Sequence, residues 1–179
     1  SSTQCSKRAL FNMKMSKIID EQRYDELILL ADEILIDSKL SHLLKIIDKD
    51  TSKFLIFTEF YATQDYVVEN LESRGYDVTI FNGKMSVDEK FDSVNNFKNK
   101  SQIMVSTGAG GEGQNFQFCH NVVNYDLPWN PMRVEQKIGR VHRIGQTSDV
   151  NIYNYAIEGT IEAYILELLY EKIQLFTMT

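Results

Sequence analysis

The sequence predicts an α/β fold, a parallel sheet with helices on both faces, preceded by a helical lead-in. Three observations carry that prediction. From residue 53 onward, short apolar stretches rich in strand-forming residues alternate with helical stretches of about ten residues, the mark of βαβ units with right-handed crossovers. The stretches FLIF and IMV are apolar throughout, as strands covered on both faces are. A chain of 179 residues with 43% hydrophobic residues has material for one ordinary core, which excludes intrinsic disorder.

The elements follow in order. Residues 14–36 carry Ile18, Ile19, Leu27, Leu30 and Ile34 near helical spacing. Asp37 or Ser38 is placed to cap a second helix bearing Leu40, Leu43, Leu44 and Ile47. KFLIFTEF (53–60) is a buried strand, and TQDYVVENLESR (63–74) a helix ended by Gly75. DVTIF (77–81) is a strand. SVDEKFDSVNNF (86–97) is a helix whose Ser86 and Glu89 form a capping box. QIMVST (102–107) and NVVNYD (121–126) are strands, and PMRVEQKIGRVHR (131–143) is a helix opened by proline. VNIYNYAI (150–157) is the last strand, and TIEAYILELLYEKIQLF (160–176) a long final helix. Residues 1–50 read as the lead-in to a lobe at 51–179, one domain in all.

Composition narrows the classes. No apolar run reaches the length of a membrane span, so no membrane partner is expected. The opening SSTQCSKRALFNMKMSK has no apolar core of a signal peptide. Cys5 and Cys119 make no metal or redox spacing, which points to a reducing, intracellular home. For a prokaryotic source this means cytoplasm or nucleoid. The net charge of −6 would discourage nucleic acid if it were spread evenly, and it is not. RVEQKIGRVHR (133–143) sets Arg133, Lys137, Arg140 and Arg143 against Glu135 alone, either a solvated helix face or a local anion site.

A glycine cluster follows the strand QIMVST. Gly108, Gly110 and Gly113 match G-x-G-x-x-G, with Asp126 eighteen residues past Gly108, as in a dinucleotide-binding fingerprint. The spacing argues against that reading. Only QNFQFCH (114–120) separates Gly113 from the next strand, and seven residues of helix rise about 10 Å, too short for a crossover helix. The other readings are a tight turn and a loop whose backbone N–H groups face an anion at a strand's carboxyl end. Four glycines in six residues exceed what one turn requires. No Walker A and no Asp-Glu pair closing an apolar strand are present, so this chain would hold only half of a triphosphate site.

QKIGRVHRIGQ (136–146) is the most specific stretch. If helical, it sets Arg140 and Arg143 on one face, a poor core and a good triphosphate clamp. Gly139 would let a neighbour approach closely, and Gly145 would end the helix. The order of motifs resembles the C-terminal motor lobe of superfamily 2 helicases, specifically the SWI/SNF-type DNA translocases. SKFLIFTEFYATQDYVVENL is similar to their motif IV, and FNGKMS to the short motif after it. VSTGAGGEGQNFQFCHNVVNYDLPWNP is similar to motif V and the strand beyond, and QKIGRVHRIGQ to motif VI. The resemblance covers about residues 38–157 and looks closest to the bacterial and archaeal branch, which includes the RNA-polymerase-recycling ATPase.

The resemblance implies a RecA-like lobe and an ATP hydrolase of the helicase or translocase type. ATP with Mg2+ would sit between two lobes, the metal held by an N-terminal RecA-like lobe of the same parent protein. This chain alone would be inactive. Arg140 and Arg143 would be arginine fingers, neutralising the transferring phosphoryl group as the cleft closes. Gln136 and Gly139 would lie on the nucleotide side, with Glu112 and Gly113 near the ribose. Double-stranded DNA would be met by Thr58, Asn82, Gly83, Thr107, Gly110 and Gly111, through backbone phosphates and not bases. Trp129 would either buttress motif V from beneath or touch the duplex. Long insertions usual in nucleosome remodellers are missing between motifs IV and V, which favours a compact motor. A protein substrate such as RNA polymerase stays open. So do a strand-separating helicase and a non-catalytic nucleic-acid-binding lobe, with a dinucleotide-binding oxidoreductase the distant rival.

Overall fold

The computed structural model describes residues 3–32, 37–108, 114–142 and 149–177. Helices α1 (Thr3–Met15), α2 (Glu21–Asp32) and α3 (Ser38–Ile47) come first. Then follow β1 (Phe54–Thr58), α4 (Tyr61–Glu72), β2 (Val78–Phe81), α5 (Val87–Asn99), β3 (Ile103–Thr107), β4 (Asn121–Asn124), α6 (Pro131–Ile138), β5 (Asn151–Asn154) and α7 (Ile161–Thr177). The strands form one parallel sheet in the order β2-β3-β1-β4-β5. This is the α/β sheet the sequence predicts. No helix among the described residues is long and apolar enough to cross a membrane.

Burial follows position in that order. β1, β3 and β4 are buried along their whole length, whereas the edge strands β2 and β5 are only partly covered. Alternate residues feed opposite faces, as the two-residue period requires. Phe54, Ile56, Ile103, Val105 and Val123 meet Leu40, Leu43 and Ile47 of α3 and Val67, Val68 and Leu71 of α4. Leu55, Phe57, Phe81, Met104 and Val122 meet Phe97 of α5, Phe116 and Cys119 on the other face. The connection from β1 to β2 runs opposite to the later ones, so a right-handed crossover places α4 on the face opposite α5.

Side chains fix the strands in register. Asn121 faces Asn151 and Asn124 faces Asn154, and each pair exchanges an amide hydrogen bond, 2.9 and 2.7 Å, at the two ends of the β4–β5 ladder. Lys53 donates to the carbonyls of Phe97 and Ser101 at 2.6 and 2.8 Å, closing the C-terminal end of α5. Between Gly113 and β4 the described segment 114–120 forms no helix. Phe116 and Phe118 fill that place instead, packed edge-on against Phe97.

Two helix boundaries differ from the sequence reading by more than a few residues, each for a physical reason. The single helix expected over 14–36 is broken: α1 ends at Met15, Lys17 takes φ +55°, and the Asp20 carboxylate caps α2 by accepting from the Arg23 amide at 2.7 Å. Residues 33–36 lie outside the described residues. The helix expected over 131–143 stops at Ile138. Val134 packs with Leu127, Ile165 and Leu169, whereas Val141 belongs to the core with Phe116. The chain must therefore leave the helix axis, and it tightens through bonds from Arg140 to Lys137 and from Val141 to Ile138. The last strand covers 151–154 and not 150–157.

The helix α3 is built into the first core, with Leu43 fully buried. Leu43→Ala should therefore destabilise the protein by about 3 kcal/mol, read as a lower denaturation midpoint at unchanged slope.

Candidate nucleotide and nucleic-acid site

The chain leaves β1 toward β2 on one side and leaves β4 toward β5 on the other. The carboxyl ends of β1 and β4 thus flank a switch point, the place where open α/β sheets take ligands. Along this edge lie Asn82 and Gly83 after β2, Gly108 after β3, Glu59 and Phe60 after β1, and Asp126 to Trp129 after β4.

A buried polar cluster organises the crevice. Asp126, 2% exposed, accepts the Thr58 hydroxyl at 2.5 Å and the Glu59 amide at 3.3 Å. Its other oxygen lies 3.9 Å from the Lys39 ammonium, which also pairs with Glu162 at 3.0 Å and donates to the Tyr125 carbonyl at 3.1 Å. Lys137 of α6 is buried and pairs with Glu59 at 2.7 Å. Burial pushes the Lys137 ammonium below its ordinary pKa, and the Glu59 and Asp126 carboxylates pull it back up. Arg140 also lowers it, so the two cations share one field.

The flanks of the glycine cluster are tied to this group. Gly108 donates to the Thr58 carbonyl at 3.0 Å, and a Cβ there would meet the Glu59 carboxylate at 3.0 Å. On the far side the Phe116 amide donates to the Arg140 carbonyl at 3.0 Å. Gly110, Gly111, Glu112 and Gly113 lie outside the described residues, as do Arg143 and Gly145.

The remaining predicted residues fall into two groups. Arg140 is buried, beyond the end of α6, with its Nε on the Gln136 carbonyl at 3.3 Å, so the picture of two arginines on one helix face does not hold for it. Gln136 is exposed. Gly139 has ordinary helical φ, and a Cβ there would meet the Glu135 carbonyl oxygen at 3.3 Å; the close neighbour is its own helix. Thr58 and Thr107 are buried. The Thr58 hydroxyl is committed to Asp126, and that of Thr107 has no hydrogen-bond partner among the described residues. Asn82 is half-buried and Gly83 exposed. Trp129 is 81% exposed. It lines an open cleft of about 470 Å³ with Phe60, Leu127, Ile157, Ile161 and the carboxylates of Glu59, Asp126 and Glu162.

Sequence reasoning passed over Gln64 and Glu59, and took Lys137 only as one charge of the basic stretch 133–143. Buried Gln64 donates to the carbonyls of Phe81 and Val105 at 3.1 and 2.8 Å and accepts from Asn82 at 3.0 Å, so it fixes Asn82 at the ends of β2 and β3. Lys137 was legible in principle, because it shares the inward helix face with Val134 and Ile138. Among the described residues no group of three or more His, Cys, Asp or Glu side chains is arranged to hold a metal.

The fold and edge are those of a RecA-like helicase lobe. Residues 38–145 match the helicase conserved C-terminal domain, and the chain belongs to that family. It is 45% identical over 163 residues to an uncharacterised ATP-dependent helicase, YqhH, of Bacillus subtilis (strain 168), covering 91% of this chain and 29% of that protein. It is 34% identical over 148 residues to the RNA polymerase-associated protein RapA of Vibrio atlanticus (strain LGP32), covering 80% of this chain and 15% of that one. Among solved structures, the C-terminal part of the Fun30 ATPase domain aligns with a TM-score of 0.69 at 29% identity, over 77% of this chain and 47% of that chain. The relatives thus include SWI/SNF-type ATPases, and the chain spans less than a third of the curated relatives' length.

Replacing the Thr58 hydroxyl with a methyl group should expose what the cluster contributes. Thr58→Val removes a buried hydrogen bond to a carboxylate and should cost about 2 kcal/mol by denaturant unfolding.

Proposed function

We propose that this chain is the second motor lobe of an ATP-dependent translocase on double-stranded DNA, with Arg140 and Arg143 as arginine fingers. One observation carries the reading: the segments that flank the glycine cluster are tied down near the arginine turn, the Gly108 amide on the Thr58 carbonyl on entry and the Phe116 amide on the Arg140 carbonyl on exit. A glycine-rich stretch and a guanidinium brought close in the chain's fold suit a triphosphate at a lobe interface. ATP and its Mg2+ would be held chiefly by an N-terminal lobe of the parent protein. Arg140 would turn outward as the lobes close and neutralise charge on the transferring phosphoryl group. Gln136, exposed one turn before it, and Glu112 and Gly113 would complete this lobe's side of the pocket.

Nucleic acid would lie across the carboxyl edge. Asn82, Gly83, Gly110 and Gly111 would meet phosphates, and Trp129 would contact the duplex from its exposed position. Such contacts read backbone, so sequence preference should be weak and salt sensitivity strong. The name of the Vibrio relative makes RNA polymerase the first protein partner to test.

The test is ATP hydrolysis by the full-length protein with duplex DNA, single-stranded DNA or RNA. Duplex DNA should stimulate turnover most, and Arg140→Ala should lower kcat by about a thousandfold while duplex binding stays intact. Undiminished turnover in that variant would remove the finger assignment. Stimulation by single strands alone would make the parent a strand-separating helicase instead.

A further inference from the structure

We infer that Glu59 and Lys137 form a positioning pair that holds Gly108, the first residue of the glycine cluster, and Arg140 in one arrangement, so that a change at the end of β1 reaches the arginine. The inference rests on the reading of Arg140 as a finger.

The geometry leaves Lys137 little choice of partner. Its side chain is 5% exposed, with the Phe57 ring centroid 5.3 Å from the ammonium, and Glu59 is the carboxylate it touches. Asp126 is already engaged by Thr58, the Glu59 amide and Lys39. A buried ammonium that loses its carboxylate must move or discharge. Arg140 follows on the same turn, its amide on the Lys137 carbonyl at 3.3 Å and its carbonyl holding Phe116, so a shift of the helix end that carries Lys137 shifts Arg140 with it. Gly108 leaves the Glu59 carboxylate its place, since a Cβ there would lie 3.0 Å from Oε1, and the Gly108 amide donates to the carbonyl of Thr58, the residue before Glu59, at 3.0 Å. One carboxylate thus lies beside Gly108, where the glycine cluster opens, and pairs with the helix that leads to the arginine. Glu59 also follows directly on Thr58, at the tip of a strand whose neighbour Phe60 faces the open cleft, so it is placed to sense what binds there. A pair kept for stability alone is commonly replaced by apolar residues without loss, whereas a pair that sets geometry is not.

The experiment compares Glu59→Gln, Lys137→Met, the double variant and Gly108→Ala with Arg140→Ala, all in the full-length protein. It measures kcat and KM for ATP with duplex DNA, duplex binding and thermal melting. Each single variant should lower kcat by about tenfold or more with KM little changed. The double variant removes both charges and so folds without a stranded ion; it should be as slow as the worse single variant and no slower. Gly108→Ala keeps both charges and only displaces the carboxylate, and should be slow as well. Normal kcat in the stable double variant or in Gly108→Ala, with Arg140→Ala inactive, would show the pair to be merely structural. Normal turnover in Arg140→Ala would overturn the finger reading itself, and the pair's role with it.

Discussion

Among the described residues Lys137 is buried and the Lys39 side chain nearly so, and each ammonium sits against carboxylates. That pairing orders the carboxyl edge of the sheet. Lys39 arrives from α3 and Lys137 from α6, on opposite sides of β1 and β4, and the acids that meet them come from the strand ends and from α7. Asp126 holds the middle, bonded to Thr58 and to the backbone of Glu59. Helices α3, α6 and α7 are tied through this cluster, at the point where the sheet's connections diverge.

The rest of the fold serves to deliver those groups accurately. Fully buried β1, β3 and β4 form a rigid platform with apolar cores on both faces. Asparagine pairs fix β5 on β4, and Gln64 fixes the ends of β2 and β3. A rigid sheet with a polar cluster at its switch point suits a lobe that must present loops to a second body and move as a unit. On the proposed reading, the nucleotide-facing turn after α6 moves with the segment that leaves the glycine cluster, because the Phe116 amide is bonded to the Arg140 carbonyl.

Much of this was legible in the sequence, and the failures are instructive. Alternating strands and helices, the Ser86 capping box and the turn at Gly75 follow from local rules, and the structure has the capping box and φ +85° at Gly75. The end of α6 was not legible locally, because it depends on which core receives Val134 and which receives Val141. The break between α1 and α2 had a local signal in Asp20, hidden by an apolar spacing that runs through it. At the site, glycines and arginines stand out by type, whereas Glu59 sits unremarked in an expected strand and Lys137 counts only as one charge of the basic stretch 133–143. Asp126 drew notice only as the acid of a dinucleotide fingerprint, a role the missing crossover helix denies it. Thr58 and Thr107 matched a motif that said nothing of whether their hydroxyls face inward.

The central claim is that the arginine turn and the glycine cluster form one unit, placed by buried charge, that meets a triphosphate across a lobe interface. The most direct measurement is a structure of the full-length protein with a non-hydrolysable ATP analogue and duplex DNA. The account predicts the Arg140 guanidinium within hydrogen-bonding distance of the γ-phosphate, with Lys137 still on Glu59 and Phe116 still on the Arg140 carbonyl. A closed complex in which Arg140 stays buried in its own lobe, away from the phosphates, would contradict it.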